Sequence, residues 1–251
     1  MILYEHPFNE RIRTYLRLEH LFVRLAELVK RDSALDHHHA IATIFEVMEV
    51  AGRADLKTDV LKDIERQKHV LNGYRENPDI SVAALDDVTE QLDACFAGLD
   101  ALPGKVGQSL NENDWLMSIR SRIGIPAGTC GFDLPAYHAW LHMNTAERQH
   151  DLQRWVAPLV PLAEAVSLLL SLLRNSGAAQ KVVAPAGQFQ QMLPQGRTFQ
   201  LLRLRLKRAS GLIPEISCNR LMVSVRLMSM QEDGRLHTHA DDSAFELTLC
   251  A

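Results

Sequence analysis

LLRLRLK, residues 201–207, and LMVSVRLM, residues 221–228, alternate apolar and polar side chains with a period of two. Leu202, Leu204 and Leu206 take one side of the first run, and Arg203, Arg205 and Lys207 the other. In the second, Leu221, Val223, Val225 and Leu227 alternate with Met222, Ser224, Arg226 and Met228. Successive side chains of a strand point to opposite faces, so each run carries one apolar and one polar face. Phe245, Leu247 and Leu249, set between Glu246, Thr248 and Cys250, repeat the pattern. The apolar faces are expected to pack on helices. Gly211 to Pro214 and the polar run Glu232 to Ser243 read as the connecting loops, with His237 to Asp242 in a hairpin loop.

Upstream the period is near 3.6. Ile12, Tyr15, Leu16, Phe22, Leu25 and Val29 recur at helical spacing between Asn9 and Lys30. Similar patterns predict helices over 37–51, 58–76, 81–100, 110–123, 134–143, 145–157 and 159–174. Asn77-Pro78 ends one of them, because the residue before proline disfavours the α region. Asn175-Ser176-Gly177 stops the last, glycine being free to take the left-handed cap. The period changes at Gly177. The expected fold class is therefore α+β: a mainly α-helical domain over 1–177 packed on a smaller antiparallel β-strand domain over 178–251. Gly128 to Phe132, between Pro126 and Pro135, is a further candidate strand.

A chain of 251 residues with 47% hydrophobic and 23% charged residues can bury a core without covalent staples. Cys95, Cys130, Cys218 and Cys250 form no CxxC pair and read as reduced thiols. The opening MILYEHPFNERIR is charged within a few residues, unlike a secretory leader. Pro158, Pro161 and Glu164 interrupt the apolar stretch Trp155 to Leu173, which reads as a buried helix, not a membrane span. The expected location is the cytosol, with no membrane insertion. A net charge of −4 argues against a nucleic-acid partner. Residues 181–228 nevertheless hold eight basic residues against the single acid Glu215, which suggests a local anionic partner.

Two basic surfaces follow. Arg203, Arg205 and Lys207 share one strand face, and Arg226 lies opposite its strand's apolar face; paired strands would join them into one patch. On the first helix Arg13, Arg17, His20 and Arg24 lie within roughly 60° of one another. Guanidinium forks suit carboxylates. Solvated faces and ion pairs with neighbouring elements account for the same residues. His138 and His142, at i and i+4, have a zinc-compatible spacing, but Ala139 stands where a zinc-protease motif has glutamate. A metal-dependent hydrolase using this pair is the alternative to a binding protein. GxSxG, Walker and GxGxxG motifs are absent, so neither enzyme activity nor a cofactor is expected.

The stretch YEHPFNERIRTYLRLEHLF, residues 4–22, resembles the start of ZapD proteins. IPAGTCGFDLPAYHAWLH at 125–142, LKDIERQ at 61–67 and PLAEAVSLLLSLLRNSG at 161–177 are similar to that family as well. The resemblance implies an α-helical domain joined to a β-strand domain, a homodimer, and binding to the C-terminal tail of FtsZ, with bundling of FtsZ filaments at the midcell division ring. It implies a basic tail-binding pocket near the domain junction. By position this involves Arg17, Arg53 in VAGRADLKT, Arg120, Arg122, His138 and Arg226. Met222 stands where the family carries a further arginine, and Asp114 where it can carry a basic residue; Arg203, Arg205 and Arg220 are possible substitutes.

Overall fold

The computed structural model describes every residue except Arg53, Ala54 and Asp79. The fold is α+β. The chain forms two compact units: Arg17–Leu169, and Met1–Leu16 together with Leu170–Ala251.

The first unit is helical. It contains most of α1 (Glu10–Lys30), then α2 (Ala34–Ala51), α3 (Leu56–Gly73), α4 (Val82–Asp100), α5 (Gln108–Asn111), α6 (Asp114–Ile123), α7 (Pro135–Leu141), α8 (Thr145–Val156) and the start of α9 (Val160–Asn175). Local chemistry sets the starts. Ser33, Ser81 and Asn113 each accept a hydrogen bond from an amide of the first turn, which satisfies an otherwise orphan donor. Asn144 and Glu147 form a capping box on α8. Leu85, Leu92 and Leu99 of α4 are buried; a spacing of seven keeps them on one side of the helix. Thr145–Asn175 is a helical run long and apolar enough, by composition, to cross a membrane. Leu159, Leu162, Val166 and Leu170 along it are fully buried within the protein.

The second unit holds two antiparallel sheets. One has the order β1-β4-β8-β2, made of β1 (Ile2–Pro7), β4 (Leu201–Leu206), β8 (Ser243–Cys250) and β2 (Ala179–Ala184). The other has the order β3-β6-β5, from β3 (Gln188–Met192), β6 (Met222–Met230) and β5 (Leu212–Cys218), and β7 (Leu236–Thr238) also pairs with β6. Leu202, Leu204, Leu206, Phe245 and Leu247 of the first sheet share one core with Val223, Val225 and Leu227 of the second.

Several expectations need correction. The apolar strand faces meet one another across the two sheets, because enough strands exist for one sheet to cover the other. β4 and β6 lie in different sheets, so Arg203 and Arg205 do not share a sheet face with Arg226. β5 begins at Leu212, inside the expected loop 211–214, and β7 lies inside the expected loop 232–243. Gly128 to Phe132 is a series of turns, not a strand. Its amides bond locally, Gly128 to Ile125 O, Cys130 to Ala127 O and Asp133 to Cys130 O, which leaves them unavailable to a ladder. β1 and the first residues of α1 group with the strand unit, which the change of period at Gly177 does not reveal.

Candidate functional site

On α1 the buried positions are Ile12, Tyr15, Leu18, Leu21 and Leu25. The basic stripe lies on the remaining arc. Arg13 pairs with Glu10 at 3.3 Å, and Arg24 with Glu46 of α2. Arg17 and His20 are exposed, and Arg17 has no ion-pair partner among the described residues.

Residues 114–142 of the helical unit carry three further candidates, Arg120, Arg122 and His138. Arg120 and Arg122 occupy the last turn of α6, where the helix dipole favours cations. Arg120 donates to Asn111 Oδ1 at 3.0 Å, and Arg122 lies 3.5 Å from Asp133. The turns at 124–134 follow, with Ala127 at φ 57°, and Pro135 opens α7 from the position a proline tolerates best. A Cβ on Gly131 would sit 3.1 Å from the His138 ring, so glycine lets the turn close against that imidazole. Phe132 beside it is 85% exposed. Tyr137 and Trp140 on the other side of α7 are buried. They join Trp115 and Trp155 in an aromatic cluster whose ring centroids lie 5.0–6.0 Å apart. The cluster anchors the segment and leaves Arg122, Phe132 and His138 at the surface.

The end of α7 is held by Arg148 of α8, which is 6% exposed. Its guanidinium donates to Leu141 O, Met143 O and Asp32 O. Its Nε–H donates to Nδ1 of His37 at 3.0 Å, while Nε2 of His37 donates to Arg31 O at 2.7 Å. Those two bonds fix His37 as the neutral Nε2–H tautomer. Burial lowers the pKa of His37, and the Arg148 charge adds to the effect. Burial also lowers His38, whose Nδ1 is 2.7 Å from the Tyr137 hydroxyl, and His6 of β1. The folded chain therefore resists protons that the unfolded chain accepts near the ordinary histidine value of 6.5. The linked stability is complete above that value and is lost as pH falls below it. Urea midpoints are expected to be equal at about pH 7.5 and 8, and lower at about pH 5.5, where carboxylates are still largely ionised. Equal midpoints at pH 7.5 and 5.5 would contradict the neutral histidines.

The strand arginines are paired. Glu5 on β1 lies opposite Arg203 on β4. Its Oε1 accepts from Nε of Arg203 at 3.0 Å and Nε of Arg174 at 2.9 Å, and Oε2 accepts from Arg174 at 2.7 Å. Arg205 lies 3.9 Å from Glu246 of β8, and Arg226 2.9 Å from Glu215 of β5. Cross-strand register thus sets an acid beside each of them.

The structure sets Arg122 on Asp133, in the turn that closes against His138, turns Arg120 to Asn111 instead, and leaves Arg17 on another helix of the same unit. Arg203, Arg205 and Arg226 belong to the strand unit. Arg53 lies outside the described residues. Exposed Phe132 was missed by the sequence reading; its setting between Gly131 and Asp133 was the available signal. The His138 and His142 rings lie 4.5 Å apart, and Nδ1 of His142 donates to His138 O. Among the described residues no group of three or more His, Cys, Asp and Glu is placed to hold a metal ion.

A family model described as ZapD, cell division protein, matches residues 16–226. A cell division protein ZapD of Janthinobacterium sp. (strain Marseille) is 49% identical over 251 residues, covering 100% of both chains. A cell division protein ZapD of Ralstonia pickettii (strain 12J) is 51% identical over 251 residues, covering 100% of this chain and 99% of its own.

Proposed function

The chain belongs to the ZapD family of cell division proteins, and from that premise we propose that it is a non-enzymatic adaptor that binds the C-terminal tail of FtsZ and bundles FtsZ filaments. The single observation that carries this reading is the end-to-end likeness at about half identity. It acts in the cytoplasm, at the midcell division ring, and needs no cofactor. Arg17, Arg120, Arg122 and His138 are the candidate carboxylate contacts of the helical unit; Arg205 and Arg226, in different sheets, are separate candidates on the strand unit. The outer ion pairs Arg122–Asp133, Arg205–Glu246 and Arg226–Glu215 suit this role. Exposed pairs are worth about 0–1 kcal/mol, so a tail carboxylate can replace the resident acid at little cost. Arg203, held with Arg174 on Glu5, is a poorer contact and serves to hold the sheet.

A flexible tail loses ordering entropy when it binds, which keeps a single site weak. A homodimer presents two equivalent sites. Filaments present many tails, and avidity then makes weak sites effective. One dimer holding tails of two filaments is a cross-link.

The test is a titration of a fluorescent FtsZ-tail peptide, with co-sedimentation of FtsZ filaments and light scattering for the mass. Arg17→Glu and Arg122→Glu should each weaken the peptide by about tenfold or more, since a charge-assisted bond is worth about 1.5–3 kcal/mol. Circular dichroism should be unchanged, both side chains being exposed. Added salt should weaken binding in the same direction. Wild-type affinity in both variants would move the site elsewhere. Filament bundling by a protein of monomeric mass would remove the two-site mechanism.

A further inference from the structure

β2 and β3 are end strands, one of each sheet of the strand unit. Register places Gln180 and Val182 of β2 opposite Leu247 and Phe245 of β8, and Phe189 and Gln191 of β3 opposite Val225 and Val223 of β6. Those partners lie in the inter-sheet core, so Gln180 and Gln191 hold core-facing positions. The apolar alternation lapses at both. The two glutamines line a cleft of about 220 Å3, floored by Phe199, Leu247 and Leu249, with Arg197 as its charged wall. Neither amide makes a hydrogen bond among the described residues. The Arg197 guanidinium stands 5.1 Å above the Phe199 ring and has no ion-pair partner among the described residues.

Each feature narrows the occupant. Small-molecule sites run to about 300–1,000 Å3, and this cleft is smaller, nearer the size of a large side chain. The floor is apolar. Arg197 is a cation without a counter-charge, and guanidinium pairs best with carboxylate. Glutamine amides both donate and accept, as backbone recognition requires. End strands carry an unpaired row of backbone groups, the template for adding an extended peptide. β3, QFQQM, has neither charge nor proline to block it.

We propose that this cleft is a subsite for an extended acidic peptide, taking one apolar side chain onto Phe199, Leu247 and Leu249 and a neighbouring carboxylate onto Arg197. It rests on the tail-binding reading above and adds a second contact on the strand unit, separate from the basic residues already assigned. The occupant is the FtsZ tail.

The experiment uses the full chain with leucine methyl labelling and the FtsZ-tail peptide. Two variants are compared with wild type: Arg197→Glu, which reverses the charge, and Ala178→Trp, which fills the cleft mouth from an exposed lining position without changing charge. Each should weaken the peptide by about tenfold. The Leu247 and Leu249 methyl resonances should shift on saturation, and shift less with a peptide whose Asp and Glu are replaced by Asn and Gln. If wild type binds while both variants bind equally well, or while those methyls stay unmoved, the subsite is overturned and the tail-binding reading stands. If wild type gives no isotherm at all, both readings fail together, and the two failures are distinguishable.

Discussion

Glu5→Gln is expected to destabilise the strand unit by about 3 kcal/mol. Glu5 is the carboxylate between Arg174 and Arg203, whose side chains retain only 21% and 18% exposure. Glutamine keeps the shape and an acceptor oxygen but leaves two guanidiniums close together with their shared countercharge gone. Breaking a buried pair by removing one partner costs about 3–5 kcal/mol; the residual exposure places this site at the low end. For a chain of this size, Tm should fall by about 6–12 °C. Glu246→Gln is the control. Its pair with Arg205 spans 3.9 Å at the surface, so the cost should be about 0–1 kcal/mol. Thermal unfolding of both variants, followed by circular dichroism, reads the difference. Equal shifts would mean that the Glu5 cluster is solvated.

Arg148→Met should cost the helical unit about 3–5 kcal/mol. Methionine replaces most of the apolar stem, so packing is largely kept and the loss is polar. Leu141 O, Met143 O and Asp32 O each lose a charged donor, as does Nδ1 of His37. Hydrogen bonds to charged groups are worth about 1.5–3 kcal/mol each, and a buried acceptor left unpaired adds its desolvation cost; local relaxation and water entry limit the sum. Urea unfolding read by tryptophan fluorescence is the measurement, since Trp115, Trp140 and Trp155 share the adjoining aromatic cluster. A change below about 1 kcal/mol would show that water replaces the guanidinium. The same variant frees the end of α7, so the tail binding proposed for His138 should weaken even in protein that remains folded.

Helix positions were legible because apolar spacing and caps are local properties. The predicted segment 81–100 became Val82–Asp100, and 145–157 became Thr145–Val156. Strands with strict alternation, β4, β6 and β8, were legible for the same reason. β1, ILYEHP, and β5, LIPEISC, were not. Glu5, His6 and Pro214 break the signal; β1 becomes a strand by pairing with the distant β4, and β5 by forming a hairpin with β6, the next strand in the chain. In the basic block at 181–228, Arg203, Arg205 and Arg226 stand beside acids of neighbouring strands. Glu5 and Glu246, which neutralise Arg203 and Arg205, come from outside it. Charge counted along the chain says little about charge summed across a sheet. Among the candidate residues, Arg17 is exposed and has no ion-pair partner among the described residues. The buried state of His37 and Arg148 could not be read from residue types that usually lie at the surface.

The strand order has a consequence for synthesis on the ribosome. β1 leaves the exit tunnel first, yet its partner β4 begins at Leu201, and β2 waits for β8, which starts at Ser243. At about 5–20 residues per second, β1 stays unpaired for on the order of 10–40 s, while the whole of Arg17–Leu169 is being made. The helical unit can mature during elongation, whereas the sheet containing β1 cannot close until β8 has slotted between β4 and β2. A nascent chain halted after β6 would carry finished helices beside an open sheet with its leucine rows bare. That is the form in which chaperones and proteases would meet this protein.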